Sequence, residues 1–294
     1  MWPLLLALPL LAQPPEVPRV VTVDWLAARL TDPKLVLFQI GDDRSKPAYD
    51  AGHIPGSQFV HPWRELSAPP ADGGLNLELP EIAVLDSVLE AKGVSNDSKI
   101  VLVPAQEYFT PTSRTALVLE WAGLAGRVAF LDGGLEAWTA AGREVTTEVP
   151  IPKRGHFTPR VDPSLVVGAK EVRAAIDDPA VALIDARDER FYEGGETRQG
   201  RNGHIPHAES LPFVSLVGED GLLKSKADLE RLFRAAGATD GKRVITYCHI
   251  GQQATLVWFA ARLLGLEASL YDGSFQDWAR RTELPVEGSK GSDR

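Results

Sequence analysis

"RVITYCHIGQQATLVWFAARLLG", residues 243–265, places a strand, a loop and a helix in one run. Residues 243–247 form a short stretch with the composition of a buried strand. Leu256, Val257, Ala260, Ala261 and Leu264 then recur at helical spacing, so a helix starts near Ala254. Cys248 stands directly at the strand end, and residues 249–253 make the tight turn into the helix. Such a loop turns several backbone N–H groups towards one point, and the helix N-terminus adds positive potential there. Both effects favour a thiolate over a thiol, and the thiolate is the reactive species. Gly251 lets the chain bend where a side chain would obstruct it. Cys248 is the only cysteine of 294 residues, which rules out an internal disulfide and any multi-cysteine metal site. Free cysteine often serves as a small buried hydrophobe. The loop context makes Cys248 a candidate nucleophile instead.

The grammar around this run occurs twice. "GHIPGS" (52–57) returns as "GHIPHA" (203–208), and "FLDGGLEAW" (130–138) as "LYDGSFQDW" (270–278). "LVLFQIGDDR" (35–44) matches "VALIDARDER" (181–190) in pattern, and "KIVLVPA" (99–105) matches "RVITYCH" (243–249). The four pairs keep their order at separations of about 140–150 residues, so the chain reads as two homologous domains. In each half, short Val/Ile/Leu-rich strands alternate with helical patterns, and two of those patterns stop at Gly93 and Gly237. The expected fold class is α/β, with two domains that are each a mostly parallel sheet flanked by helices. The boundaries read as a leader over 1–17, a first domain over 18–145, a Pro-rich linker over 146–162, a second domain over 163–286 and a disordered tail over 287–294.

Hydrophobic residues make up 44% and charged residues 24%, ordinary for a globular chain, and the net charge is -9. An acidic balance argues against nucleic acid as a partner. It leaves room for a small anion in a locally positive pocket. The apolar run over residues 2–12 is too short to span a bilayer, and no later stretch is long and apolar enough for a membrane span. The run suits a secretory signal peptide cleaved after Ala12, which would make the protein exported and periplasmic. No Lys or Arg precedes it and Leu10 is large for its place, so a cytoplasmic location is the alternative.

"YCHIGQQA", the paired "GHIPGS" and "GHIPHA" turns, and "LDGGLEAW" with "YDGSFQDW" together resemble the tandem-domain sulfurtransferases of the rhodanese family. The resemblance runs over nearly the whole chain after the leader. It implies one active and one inactive domain. Pro104 takes the place of the thiol in the first half, so that domain is expected to be structural and to wall the cleft. The second domain would then carry sulfane sulfur from a donor such as thiosulfate to cyanide or a thiol, through a persulfide on Cys248. Two half-reactions of this kind give ping-pong kinetics. The resemblance calls for no metal and no organic cofactor.

In the family, an arginine just before the aromatic residue of this motif holds the donor's anionic end. That residue is Arg190, before Phe191, and its planar fork suits an oxyanion. The loop residues His249, Ile250, Gly251, Gln252 and Gln253 are expected to surround the donor, with His249 offering charge near the persulfide. Asp185 and Arg187 are expected to brace the loop. Arg198 and Arg201 read as a solvated loop, with the cleft mouth as their alternative place. His53 and His204 occupy equivalent turns in both halves, which points to a structural role. The loop matches neither the basic pattern of thiosulfate-specific members nor the Gly/Ser pattern of mercaptopyruvate-specific ones. Thiosulfate leads as donor, with 3-mercaptopyruvate or a sulfur carrier serving a protein partner as alternatives. A cysteine phosphatase would need arginine where Ala254 stands, so that chemistry is set aside.

Overall fold

The computed structural model describes residues 15–105 and 109–288. The signal-peptide reading of residues 2–12 lies outside them. Five strands build the first sheet: β1 (Val20–Val21), β2 (Leu35–Ile40), β3 (Ser57–Val60), β4 (Lys99–Pro104) and β5 (Val128–Leu131). Five more build the second: β6 (Val166–Val167), β7 (Val181–Asp185), β8 (Glu209–Ser210), β9 (Arg243–Tyr247) and β10 (Ala268–Tyr271). The orders are β1-β5-β4-β2-β3 and β6-β10-β9-β7-β8, with every neighbouring pair parallel. The two orders are the same order, which is the structural form of the repeated motifs. Central strands such as "IVLV" (100–103) are buried on both faces, so they read as unbroken apolar runs rather than alternating ones.

The register decides what meets at the carboxyl edge. Asp185 pairs with Tyr247, which brings the end of β7 beside Cys248. Gln39 pairs with Val103 at the same place in the first sheet. Ligands of open parallel sheets gather at this edge.

The helices Phe109–Leu119 and Ala254–Leu263 follow β4 and β9, and they pack against each other across the domain boundary. Both bury almost every residue, which explains their lack of a polar face. Phe130 stacks on Phe259 at 4.0 Å, and Ser113 Oγ lies 2.7 Å from Thr255 Oγ1. One apolar cluster therefore runs through both domains, while each domain keeps a second cluster of its own on the other face of its sheet.

Three edges differ from the boundaries read in the sequence. Val17 is fully buried and its N–H donates to the Gly126 carbonyl at 3.1 Å, so the first domain begins before residue 18. Thr146 pairs antiparallel with His53, so the first linker residue belongs to the fold. Glu287 pairs with His204 in the same way, so residue 287 belongs to the fold, and residues 289–294 of the expected tail lie outside the described residues. The two histidines make matching turns. His53 stacks on Tyr49 at 3.9 Å with Nδ1 2.9 Å from the Tyr49 carbonyl, and His204 stacks on Tyr192 at 3.8 Å with Nδ1 2.8 Å from the Tyr192 carbonyl.

Candidate active site

Cys248 is fully buried at the end of β9. Its N–H donates to Ser274 Oγ at 3.2 Å, and its carbonyl accepts the Phe275 N–H at 3.0 Å. The His249 carbonyl accepts the Gln276 N–H at 3.0 Å. The first turn of the helix Ser274–Arg280 thus fixes the peptide groups on either side of the thiol. Ser274 reaches this position with φ +51 and passes its own proton to the Tyr271 carbonyl at 2.9 Å. The corresponding place in the first domain holds Gly134, opposite Pro104. A proline has no N–H to satisfy, so no hydroxyl is needed there.

Among the described residues, none of the backbone N–H groups of residues 249–253 donates a hydrogen bond within the protein. Unpaired N–H groups converging beside a sulfur form an anion-binding nest. Gly251 bends the loop with φ +79, and a Cβ there would come 2.5 Å from the Asp272 carbonyl. Only glycine fits.

Asp185 and Arg187 form a buried ion pair behind the loop, with Arg187 Nε 2.9 Å from Asp185 Oδ1 and Nη2 2.5 Å from Oδ2. Arg187 also donates to the Gly203 carbonyl at 2.8 Å and lies 4.1 Å from the Phe275 ring. Burial works against its charge, but the Asp185 carboxylate outweighs this and raises its pKa. The pair ties the end of β7 to the "GHIPHA" turn and to Phe275.

Phe191 connects the loop to two further cations. Its ring meets His249 edge-on at 4.5 Å, and the guanidinium carbons of Arg190 and Arg198 each lie 5.1 Å from it. Arg190 is held at the surface by Asp188 and Glu196, each at 3.3 Å. Arg198 is exposed, in keeping with its Gly-rich surroundings, and its guanidinium also contacts the Phe191 ring. Arg201 turns away and donates to the carbonyls of Arg281 and Leu284 at 3.3 and 2.9 Å.

Two expectations for loop side chains are corrected. His249 supplies no charge at neutral pH. Burial first, then the Arg187 and Arg198 charges, push its pKa down to about 4. Gln252 does not point its amide at a donor. Its Oε1 accepts Trp63 Nε1–H at 3.0 Å and its Nε2 donates to Thr110 Oγ1 at 3.1 Å, both from the first domain. Gln253 precedes the helix Ala254–Leu263, and its Oε1 is buried without a partner among the described residues. Ile250 is partly buried, and no hydrogen bond ties its N–H within the described protein.

The first domain therefore grips the Cys248 loop rather than merely flanking it. Arg114, 1% exposed on the helix Phe109–Leu119, donates to the Gly251 carbonyl at 3.3 Å and to Asp272 Oδ1 at 2.5 Å. It also donates to the Leu77 carbonyl. Leu79 N–H donates to the other oxygen of Asp272 at 3.0 Å, so residues 77–79 lie as a strap over the second domain. Nothing in the sequence marked Arg114 or Trp63 as parts of this site; no local pattern links them to residues 137 and 189 positions away.

Glu78 sits in that strap with Oε1 buried and unpartnered among the described residues. Burial, then the Asp272 charge, raise its pKa to about 7, against the opposing pull of Arg114. An acid with a raised native pKa stabilises the fold when protonated and loses that contribution as pH rises from the ordinary carboxylate range through about 7. Glu78→Gln is neutral at every pH. Urea unfolding should show the variant close to wild type at pH 5 and more stable by roughly 2–3 kcal/mol at pH 8. Parallel pH profiles for the two proteins would remove Glu78 from the account.

Comparison with known proteins agrees with this architecture. The family model described as "Rhodanese-like domain" matches residues 22–141 and 168–281. The chain is 33% identical to the "Probable 3-mercaptopyruvate sulfurtransferase" of Pseudomonas aeruginosa, over 91% of this chain and 97% of that protein. It is 31% identical to the "Sulfur carrier protein TtuD" of Thermus thermophilus, over 95% and 98%. It is 30% identical to the "Putative thiosulfate sulfurtransferase SseA" of Mycobacterium tuberculosis, over 91% and 90%. Among solved structures, the 3-mercaptopyruvate sulfurtransferase SseA of Escherichia coli superposes with a TM-score of 0.77 at 27% identity, covering 88% of this chain and 99% of that one.

Proposed function

The chain belongs to the rhodanese-like family and is a sulfurtransferase, and on that premise we propose that it moves sulfane sulfur from thiosulfate to a thiophilic acceptor through Cys248. The run of backbone N–H groups over residues 249–253 that make no hydrogen bond among the described residues, directly following the buried Cys248, is the observation that carries the reading. The Cys248 thiolate attacks the outer sulfur of thiosulfate. The S–S bond of the donor breaks, sulfite leaves with its electron pair, and a persulfide anion remains on Cys248. The loop N–H groups are donors for that anion. Cyanide or a thiolate then attacks the terminal sulfur and regenerates the Cys248 thiolate, so charge and electrons balance in both halves.

Arg190 and Arg198 both lie against Phe191, whose ring meets His249 of the Cys248 loop, and on this reading they supply the attraction for a donor anion. Alanine at either position should raise KM for thiosulfate by about tenfold, the size of one charge-assisted contact, with a smaller effect on kcat. Steady-state kinetics at fixed ionic strength measure this. Unchanged KM in both variants would take the arginines out of donor binding.

A 2-mercapto acid is the second reading. Two planar guanidinium groups suit a carboxylate as well as a sulfonate, and the neutral His249 leaves the loop without a charge that would select between them. Comparing kcat/KM for thiosulfate and 3-mercaptopyruvate decides the donor. Cys248 gaining one sulfur with either donor, but releasing none to cyanide or small thiols, would identify a carrier that delivers to a protein. Export through the apolar run over residues 2–12 belongs to the same proposal, and is read out by the mass of the chain recovered from cells.

A further inference from the structure

The first domain has a cavity of about 870 Å³ at the place that corresponds to the catalytic pocket of the second. Gln39 at the end of β2 and Pro104 at the end of β4 line it, standing where Asp185 and Cys248 stand in the other repeat. The second domain supplies the opposite wall, and Leu222 comes within contact distance of the Gly133 position. The roofs are reciprocal, since Leu75 of the first domain covers Gly273 beside the catalytic loop. With proline in place of cysteine, this pocket can hold a molecule but cannot take sulfur from it.

Its lining states the chemistry of the occupant. Among the described residues of the lining, Glu136, Glu219 and Asp220 contribute three carboxylates, against one cation, Arg44, which is itself engaged by Asp42 at 3.0 Å. The charge therefore favours a cation and disfavours the anionic donors of the catalytic site. Gln39 is 2% exposed, and its Oε1 has no hydrogen-bond partner among the described residues. A buried acceptor left unpaired costs stability, and rotation about the broad terminal torsion of Gln turns it to a ligand donor. Phe109, Phe213, Val217 and Leu256 add apolar wall. The volume is that of a small-molecule site.

We propose that this pocket binds a small primary ammonium compound with an apolar body, whose N–H groups meet Gln39 Oε1 and whose charge faces Glu136 and Glu219. The site is separate from Cys248 and does not depend on sulfur transfer. Leu256 lies on the helix that begins at the catalytic loop, so an occupant touches the element that presents the nest.

Saturation-transfer NMR and calorimetry on the full chain test this with three probes of one shape: phenethylamine, 2-phenylethanol and phenylacetate. The amine should bind saturably, and phenylacetate should not. Gln39→Leu, which removes the acceptor while keeping volume, and the surface pair Glu136→Lys with Glu219→Lys should each weaken the amine by about tenfold or more. The lysine pair should admit phenylacetate. Near-ultraviolet circular dichroism of the tryptophans reports that each variant is folded. The proposal is overturned if no probe saturates, if phenylacetate binds wild type as well as the amine does, or if amine binding survives both sets of substitutions.

Discussion

Cys248→Ser is expected to leave a folded protein with no sulfur transfer. The hydroxyl is close in volume to the thiol, and the site is fully buried in the shared core, so the fold should lose only about 1–2 kcal/mol from placing a polar group there. The chemistry loses its nucleophile. Serine stays protonated near neutral pH, and among the described residues no base faces position 248 with the pKa to activate it, since His249 binds protons only near pH 4. Turnover with thiosulfate and cyanide should fall by roughly 10⁴-fold or more, the scale seen when a covalent nucleophile is removed. Intact-mass measurement gives an independent readout: wild type incubated with thiosulfate gains one sulfur atom and the variant gains none. Residual turnover within tenfold of wild type would sink Cys248 as the sulfur-bearing residue.

Arg114→Ala should be the most damaging change outside the sulfur itself, although it lies in the domain that has no thiol. The substitution leaves Asp272, 7% exposed, without its guanidinium partner. An unpaired buried carboxylate typically costs 3–5 kcal/mol. It also frees the Gly251 carbonyl, whose position sets the direction of the neighbouring N–H groups. Urea unfolding should show that loss of stability, and kcat should drop with less change in KM, because the nest acts on the persulfide rather than on the distant end of the donor. Arg114→Lys keeps the charge and loses the fork, so it should restore part of the stability and less of kcat. Pairing Arg114→Ala with Asp272→Asn should cost less than the two changes summed, since the stranded charge is gone. Wild-type stability and kcat in Arg114→Ala would refute the clamp.

These two residues mark how much was legible. Cys248 could be placed from sequence because its signal is local. An apolar strand, a glycine turn and a helix surround it within about twenty positions, and period and composition report such elements directly. The duplication was legible because the motifs keep their order, and the two sheets repeat the same strand order. Arg114 carried no such signal. It sits within the almost wholly buried helix Phe109–Leu119, where an arginine in a run of small and apolar residues has no visible partner until the second domain is in place. The Gly-rich insertion reads as solvated and Arg198 is exposed, but its contact with the Phe191 ring carries no local signal.

Sequence alone determined the two parallel-sheet domains, the thiol at the end of β9 and the glycine that lets its loop turn. Those features follow from backbone rules that act over a few residues. The tertiary structure alone decided the charge of His249, the engagement of Gln252 by Trp63 and the grip of Arg114 on the catalytic loop. Each depends on burial and on through-space contact between groups far apart in the chain.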